Sequence, residues 1–402
     1  MTVPPGRWPL HPPPGQLESL SSWLDRLAVL YGMTASNLIG EHNLDLDGVT
    51  VPHDLDFDPP WTMLLALAQR TGVEPGQLQA MTLSGWALYL FDTPGLPRPG
   101  QQQQVFVNYV RSNTVLLALG EAGHNQVGDS RRWNGPWRPT HRLTRQCPVC
   151  AADPGRGSSL MWQLSVMVSC GEHGCYLEDR QQVTLHMLTH QQPMPPRMVP
   201  EPLATLERYT HTALTTGCVD LPGRQVHAAV WLRLLRSLLD EVSLALSTRR
   251  TEARTTLQKV WAATGLPERG GLNVWQVYER LEPELQHWML RAAAAALDLA
   301  AKGEITACGR LGSAIQPHRR QYVYDGDRPA APTAWREAVA DAEVLMVQAR
   351  IDHRVARQLL AWLTASCPSL AQFEQQRAYL FGAGIPAAFL PGPAGLGRTD
   401  LV

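Results

Sequence analysis

Cys147-Pro-Val-Cys150, nineteen intervening residues and Cys170-Gly-Glu-His173 form a C-x2-C, C-x2-H array, and no other feature of the sequence constrains the fold as tightly. Two short knuckles bring four soft-to-borderline donors within reach of one ion, the donor set of tetrahedral zinc in a closed structural site. Between them, residues 161–168, MWQLSVMV, alternate with Trp162, Leu164, Val166 and Val168 on one face, which predicts a strand separating the knuckles of a zinc ribbon. The competing reading, four buried thiols and imidazoles without metal, requires both knuckles to flank the strand by coincidence. Cys175 either replaces His173 as fourth ligand or packs as a small apolar thiol, and His173 is the preferred donor. Four protein ligands leave no position for water, so the expectation is one zinc per chain that holds fold and does no chemistry.

The remaining cysteines, Cys218, Cys308 and Cys367, lie in helical patterns and are expected to be buried thiols. The N-terminus, MTVPPGRWPLHPPPG, is broken by proline and has no apolar signal region, and no run of about 18 apolar residues occurs. A soluble, cytoplasmic protein with reduced cysteines and no membrane partner is expected.

With 402 residues the chain exceeds one hydrophobic core, so two or three domains are expected. Ser19 can cap a helix carrying Leu20, Trp23, Leu24, Leu27 and Tyr31 at helical spacing, closed by Gly32. At an offset of 40 the chain repeats itself: Leu27, Ala28, Gly32, Met33 and Leu38 fall over Leu67, Ala68, Gly72, Val73 and Leu78. The unit is helix, glycine turn, helix. The second copy resembles a helix-turn-helix, with Pro75 placed where only a first helical turn accepts it; an αα-hairpin that merely packs is the plainer alternative. Between the copies, residues 41–60 hold six acids and no base and are expected to loop out toward a basic partner or solvent, with Asp45, Asp54, Asp56 and Asp58 among them.

Beyond the cysteines, residues 187–202 carry five prolines and are expected to link domains. Val226, Val230, Leu234, Leu238 and Val242 then recur at every fourth position, Trp288, Ala292, Ala296 and Leu299 line a second helix, and a third pattern runs from Trp335 to Ala365. The fold expected is mainly α: helical N-terminal hairpins over 1–125, a zinc ribbon with short β-strands over 126–186, a linker over 187–202 and a helical C-terminal domain over 203–402.

A formal net charge of -1 provides no overall field for nucleic acid or anionic lipid, so any such contact must be local. One stretch qualifies. Residues 131–145, RRWNGPWRPTHRLTR, combine Arg131, Arg132, Arg138, Arg142 and Arg145 with two tryptophans and no acid, a composition that can clamp phosphates or stack on bases. A solvated loop whose tryptophans pack under the ribbon is the equal alternative. Arg310 with His318, Arg319 and Arg320 forms a smaller basic cluster. Phosphate-loop, H-E-x-x-H, nucleophile-elbow and dinucleotide-binding motifs are all missing, and no active site is assigned.

These residues together resemble a known family. Pro12 to Leu27 in the pattern P-x-x-G-x-x-x-S-L-S-S-W-L-x-R-L, the TGV hairpin, and then Cys147, Pro148, Cys150, Arg156, Trp162, Leu164, Cys170, His173 and Leu177 are similar to the TniQ family of transposition proteins, which includes TnsD-type target selectors. The resemblance covers residues 10 to about 185. It implies a non-catalytic target selector or adaptor whose partners are the transposon's AAA+ ATPase, the transposase complex, DNA and, for some members, an RNA-guided effector complex, with Cys147, Cys150, Cys170 and His173 as zinc ligands. Many relatives have a second C-x-x-C after the H-x-x-x-L; here that stretch, EDRQQVTLHM, has none. The alternative function is a stand-alone sequence-specific DNA-binding regulator built on the same hairpins.

Overall fold

The structure, a computed structural model, describes residues 6–40, 44, 54–92, 95–98, 100–106, 113–118, 121, 137–139, 143–153, 155–246, 249, 251–268, 277–317, 342–364, 367 and 369–396. The chain is mainly helical and divides into two compact units, one of residues 1–87 with 137–200, the other of 88–136 with 201–402.

In the first unit, α1 (Leu20–Leu30) starts at Ser19, whose side chain accepts the Ser22 N–H, and α2 (Ala35–Leu38) starts at Thr34 in the same way. Helix α3 (Trp61–Thr71) and α4 (Pro75–Ala80) repeat the arrangement, with Pro75 in the first turn of α4. The two turns are held by Gly32 and Gly72 at φ +65° and +74°, a left-handed backbone that side chains with a Cβ resist, and this makes the duplication visible in the sequence. Leu20, Trp23, Leu24 and Leu27 from the first copy and Met63, Leu64, Leu67 and Leu78 from the second form one core. Copies that share a core cannot be independent modules.

Asp56 overturns one expectation. It is buried, not turned to solvent or a partner: its carboxylate accepts the Ser21 N–H at 2.6 Å, the Ser21 hydroxyl at 2.5 Å and the Gln163 amide. This acid ties the start of α1 to the cysteine-containing segment. A short ladder adds to that tie, since Ser19 N–H donates to the Ser158 carbonyl and Leu160 N–H to that of Leu17, both within 3.0 Å.

The expected strand over 161–168 is absent. Residues 160–163 form a 3-10 turn, and Leu160, Met161, Trp162, Leu164, Val166 and Met167 are all buried. Both parities of the alternation face the core, so it carried no information about one sheet face. Local bonds from Leu164 N–H to Met161 and from Met167 N–H to Leu164 close the backbone into turns. The strands lie outside the knuckles: β1 (Arg145–Gln146) pairs antiparallel with β2 (Glu178–Asp179), Arg145 opposite Asp179. Helix α5 (Pro148–Ala151) follows β1, and α6 (Arg180–His190) follows β2, capped by Asp179. Of the segment expected to link domains, residues 187–190 complete α6, and Met198 bridges to Cys175.

The second unit is built round α8 (Ala228–Val242), preceded by α7 (Leu203–Thr216) and a hairpin of β3 (Cys218–Asp220) with β4 (Gln225–His227). Helix α8 packs on α7 and on α10 (Pro283–Lys302), which also holds α9 (Thr251–Thr264). Val230, Leu234, Leu238 and Val242 are buried as their spacing predicts, but so is every other residue of α8, including Arg233, Arg236, Asp240 and Glu241. Each charge therefore needs a partner: Arg233 pairs with Asp92 at 2.7 Å and Arg236 approaches Glu279 at 3.5 Å. Trp335 lies outside the described residues; of that third pattern, α11 (His353–Thr364) packs on α12 (Leu370–Gly382). Cys308 corrects another expectation, being exposed, while Cys218 and Cys367 are half-buried. No helix among the described residues is long and apolar enough to cross a membrane.

Candidate metal centre

The first knuckle is a helix start. Cys147 is the N-cap of α5, its Sγ accepting the Cys150 N–H at 3.4 Å, with Pro148 at the first helical position where a missing N–H costs nothing. One helical turn thus returns Cys150 to the side of Cys147. The second knuckle is a tight turn in which the Gly174 N–H donates to the Cys170 carbonyl at 2.8 Å and the Cys170 N–H to the Cys175 carbonyl at 2.9 Å, flanked by a bridge between Ser169 and Tyr176. Pairing of β1 with β2 brings the two knuckles together, because β1 ends just before Cys147 and β2 begins soon after Cys175.

Cys147, Cys150, Cys170 and His173 place one donor atom each within 4.8 Å of every other. His173 Nδ1 lies 3.6 Å from Cys147 Sγ and 3.4 Å from both Cys150 Sγ and Cys170 Sγ, and the last two sulfurs are 3.8 Å apart. Zinc bonded at about 2.3 Å to sulfur and about 2.0 Å to nitrogen in a tetrahedron separates two sulfurs by about 3.8 Å and sulfur from nitrogen by about 3.5 Å. The donors fit those edges. The three cysteines are buried and His173 is half-buried, so the cluster can bind a metal such as zinc.

Cys175 stands beside this set, its sulfur 3.5 Å from Cys147 Sγ. Burial pushes its thiol up to about 12, whereas hydrogen bonds from Cys150 and Cys170 drive Cys147 down. The Cys175 thiol is therefore placed to donate to the Cys147 sulfur from outside the four donors. A further charge stands nearby: Arg156 pairs with Glu172, and its guanidinium is raised by that hydrogen bond and, more weakly, by Cys150 and Cys170. Three thiolates and a neutral imidazole would leave one negative charge on a divalent ion, and Arg156, although paired with Glu172, places its guanidinium on the side of Cys150 and Cys170.

The basic stretch before Cys147 is only partly described. Arg131, Arg132 and Arg142 lie outside the described residues. Arg138 stacks on the Phe57 ring, 3.5 Å from its centroid. Arg145 points inward: Nη2 donates to the carbonyls of Trp162 at 2.8 Å and Leu164 at 2.7 Å, and Nε to that of Trp162 at 3.1 Å. Those carbonyls are the ones a strand would have offered to a neighbour. Trp137 is fully buried, as expected of a tryptophan packing under the ribbon, and its carbonyl accepts the Ser165 N–H. In the second hairpin, the exposed residues of α4 are Gly76, Gln77, Gln79 and Ala80, none of them charged.

Sequence reasoning missed Asp56 and the inward role of Arg145. Asp56 sits in a run of acids that gives no local sign of burial, and nothing near Arg145 distinguishes it from its four neighbours in the basic stretch. The missing second C-x-x-C has a structural counterpart, since residues 178–187 form β2 and the first turns of α6.

Residues 9–177 match the family model described as TniQ. No curated protein and no solved structure matches the chain.

Proposed function

We propose, from the match of residues 9–177 to the TniQ family model, that the chain has a role in transposition as a non-catalytic target selector, an adaptor joining target DNA or an RNA-guided effector complex to the transposon's AAA+ ATPase and transposase. The observation that carries this reading is the family match together with the place of the metal centre inside it: the match ends at Leu177 and takes in all four donors. In this reading Cys147, Cys150, Cys170 and His173 hold one zinc. A shell of four protein donors leaves no site for a reacting water, so the ion serves to hold β1, β2 and the two knuckles as one rigid body.

An adaptor needs surfaces and not a reaction centre. The duplicated hairpins and the metal centre share one compact unit, tied by Asp56 and the ladder at Ser158, and a separate helical unit follows. That layout supports a protein that meets more than one partner. Reconstitution with the transposon's ATPase and transposase, donor and target DNA tests it. Insertion whose frequency and position depend on this chain supports the reading; the same insertions without it, or cutting and joining of DNA by this chain unaided, overturns it.

A further inference from the structure

Three arginines far apart in sequence meet at the last turn of α12. Arg224 donates from Nη1 to the Ser313 hydroxyl at 2.8 Å and from Nη2 to the Gly382 carbonyl. Arg350 donates from Nε to the Ala383 carbonyl at 3.2 Å. The Arg310 guanidinium stands 5.9 Å from the centroid of the Phe381 ring, which Arg233, already paired with Asp92, approaches to 5.1 Å. Residues 381, 382 and 383 thus lie against Arg310, Arg224 and Arg350, and of these four arginines only Arg233 has a carboxylate partner among the described residues.

Capping accounts for part of this arrangement, because the carbonyls at a helix C-terminus attract cations. It does not account for the amount of charge. A helix end carries roughly half a negative charge, against three guanidinium groups. Arg224 and Arg350 are half-buried, and both are lowered by burial, Arg224 also by the charge of Arg350. Among the described residues none of the three forms an ion pair, and Arg350 Nη1 and Nη2 have no hydrogen-bond partner. The carboxylate near enough to influence Arg350 is Asp220, which is exposed and bonded by Gln225 at 3.1 Å. After Asp220 the patch keeps an excess of two positive charges, more than a single carboxylate would neutralise.

We propose that Arg224, Arg310 and Arg350 form an oxyanion site that takes the phosphodiester backbone of nucleic acid. The unused N–H groups of the guanidinium groups offer forked donors to phosphate oxygens, and a polyanion relieves the repulsion between Arg224 and Arg350, two half-buried cations held side by side. Contacts of this kind fix position without reading sequence. Arg310 belongs to the basic cluster noted in the sequence, whose other members, His318, Arg319 and Arg320, lie outside the described residues. The proposal rests on the targeting reading only for the source of the phosphate.

The test uses the full-length protein and a labelled DNA duplex of mixed sequence, titrated at several salt concentrations. Arg310→Gln with Arg350→Gln is expected to weaken binding about tenfold and to flatten the slope of log K against log salt by about one for each phosphate no longer neutralised. Arg350→Lys, which keeps charge but not the fork, is expected to fall between. Circular dichroism melting checks that the variants fold; Arg224 is left intact because its side chain bridges Ser313 and Gly382. Inorganic phosphate that competes at millimolar concentration supports an oxyanion site, and an unchanged affinity and salt slope in folded variants overturns it. Displacement of DNA by an oligoglutamate peptide that binds through the same arginines more tightly than DNA also overturns it, in favour of an acidic protein partner. If the variants bind DNA normally while reconstituted insertion still depends on the chain, this site is wrong and the targeting reading stands.

Discussion

The Glu241 carboxylate, buried in α8, accepts the backbone N–H of Leu116 at 2.7 Å and that of Val115 at 2.9 Å. A chain segment 125 residues away is thereby held on the central helix. Burial outweighs these hydrogen bonds and pushes Glu241 up to about 8. An acid raised above its unfolded value of roughly 4.3 binds more protons folded than unfolded. Its contribution is therefore complete below about pH 4 and is lost as pH rises toward 8. Glu241→Gln removes the titrating group, although its amide nitrogen cannot accept the N–H that the second carboxylate oxygen accepts, and its melting temperature is expected to depend less on pH between 5 and 8 than that of the parent. Parallel melting curves across that range would show that Glu241 does not titrate there.

Zinc content gives a second expectation. One zinc per chain should be found by elemental analysis after purification without chelator, and Cys147→Ser, Cys150→Ser, Cys170→Ser or His173→Ala should each lose it along with the fold of the first unit. Metal binding in such sites is folding free energy, on the order of 10 kcal/mol in small zinc modules. Cys175→Ser should keep the metal, because Cys175 touches Cys147 from outside the four donors. Loss of zinc in Cys175→Ser with retention in His173→Ala would exchange the two assignments.

Local signals were legible in the sequence and long-range ones were not. The C-x2-C, C-x2-H array and the two glycine turns act over a few residues, so spacing alone located them. The strand over 161–168 failed because Met161 and Met167 are as buried as Trp162 and Val166, and alternation is informative only where one face meets water. Helix α8 was found from its stripe of Val230, Leu234, Leu238 and Val242, yet its charged residues resemble a solvated face. Their burial depends on Asp92, Glu279 and residues 115–117, partners brought by tertiary structure from distant parts of the chain. Asp56 is the same case in the first unit.

The ion pair between Arg233 and Asp92 should be costly to break from one side. Both side chains are buried, and Asp92 also accepts the N–H groups of Ala387 and Ala388. Arg233→Met leaves an unpaired buried acid, a loss of about 3–5 kcal/mol, whereas Asp92→Asn combined with Arg233→Met should recover much of it. Burial already raises Asp92 despite its partner, so the single variant's deficit should shrink as pH falls and the acid takes up a proton. Chemical denaturation of the two single variants and the double variant at pH 5 and pH 8 measures this coupling. Additive losses, the same at both pH values, would show that the two side chains stand independently.

The last expectation separates Arg145 from the rest of its basic stretch. Its guanidinium satisfies the carbonyls of Trp162 and Leu164 beside the knuckles, so Arg145→Ala should destabilise the first unit by about 1.5–3 kcal/mol, the range for hydrogen bonds to charged groups. Arg145→Lys should restore little, because a single ammonium cannot span two carbonyls as the planar fork does. Arg131→Ala with Arg132→Ala should, if the stretch clamps phosphates, weaken DNA binding and flatten its salt dependence. Arg138 lies between these cases, since it stacks on Phe57 at 3.5 Å and its replacement should cost about 0.5–1 kcal/mol of stability. Melting curves and salt-dependent DNA titrations on the same set of variants resolve the two roles. DNA binding unchanged in the Arg131 and Arg132 variant would return the stretch to a solvated loop, and normal stability in Arg145→Ala would remove Arg145 from the framework that holds the metal centre.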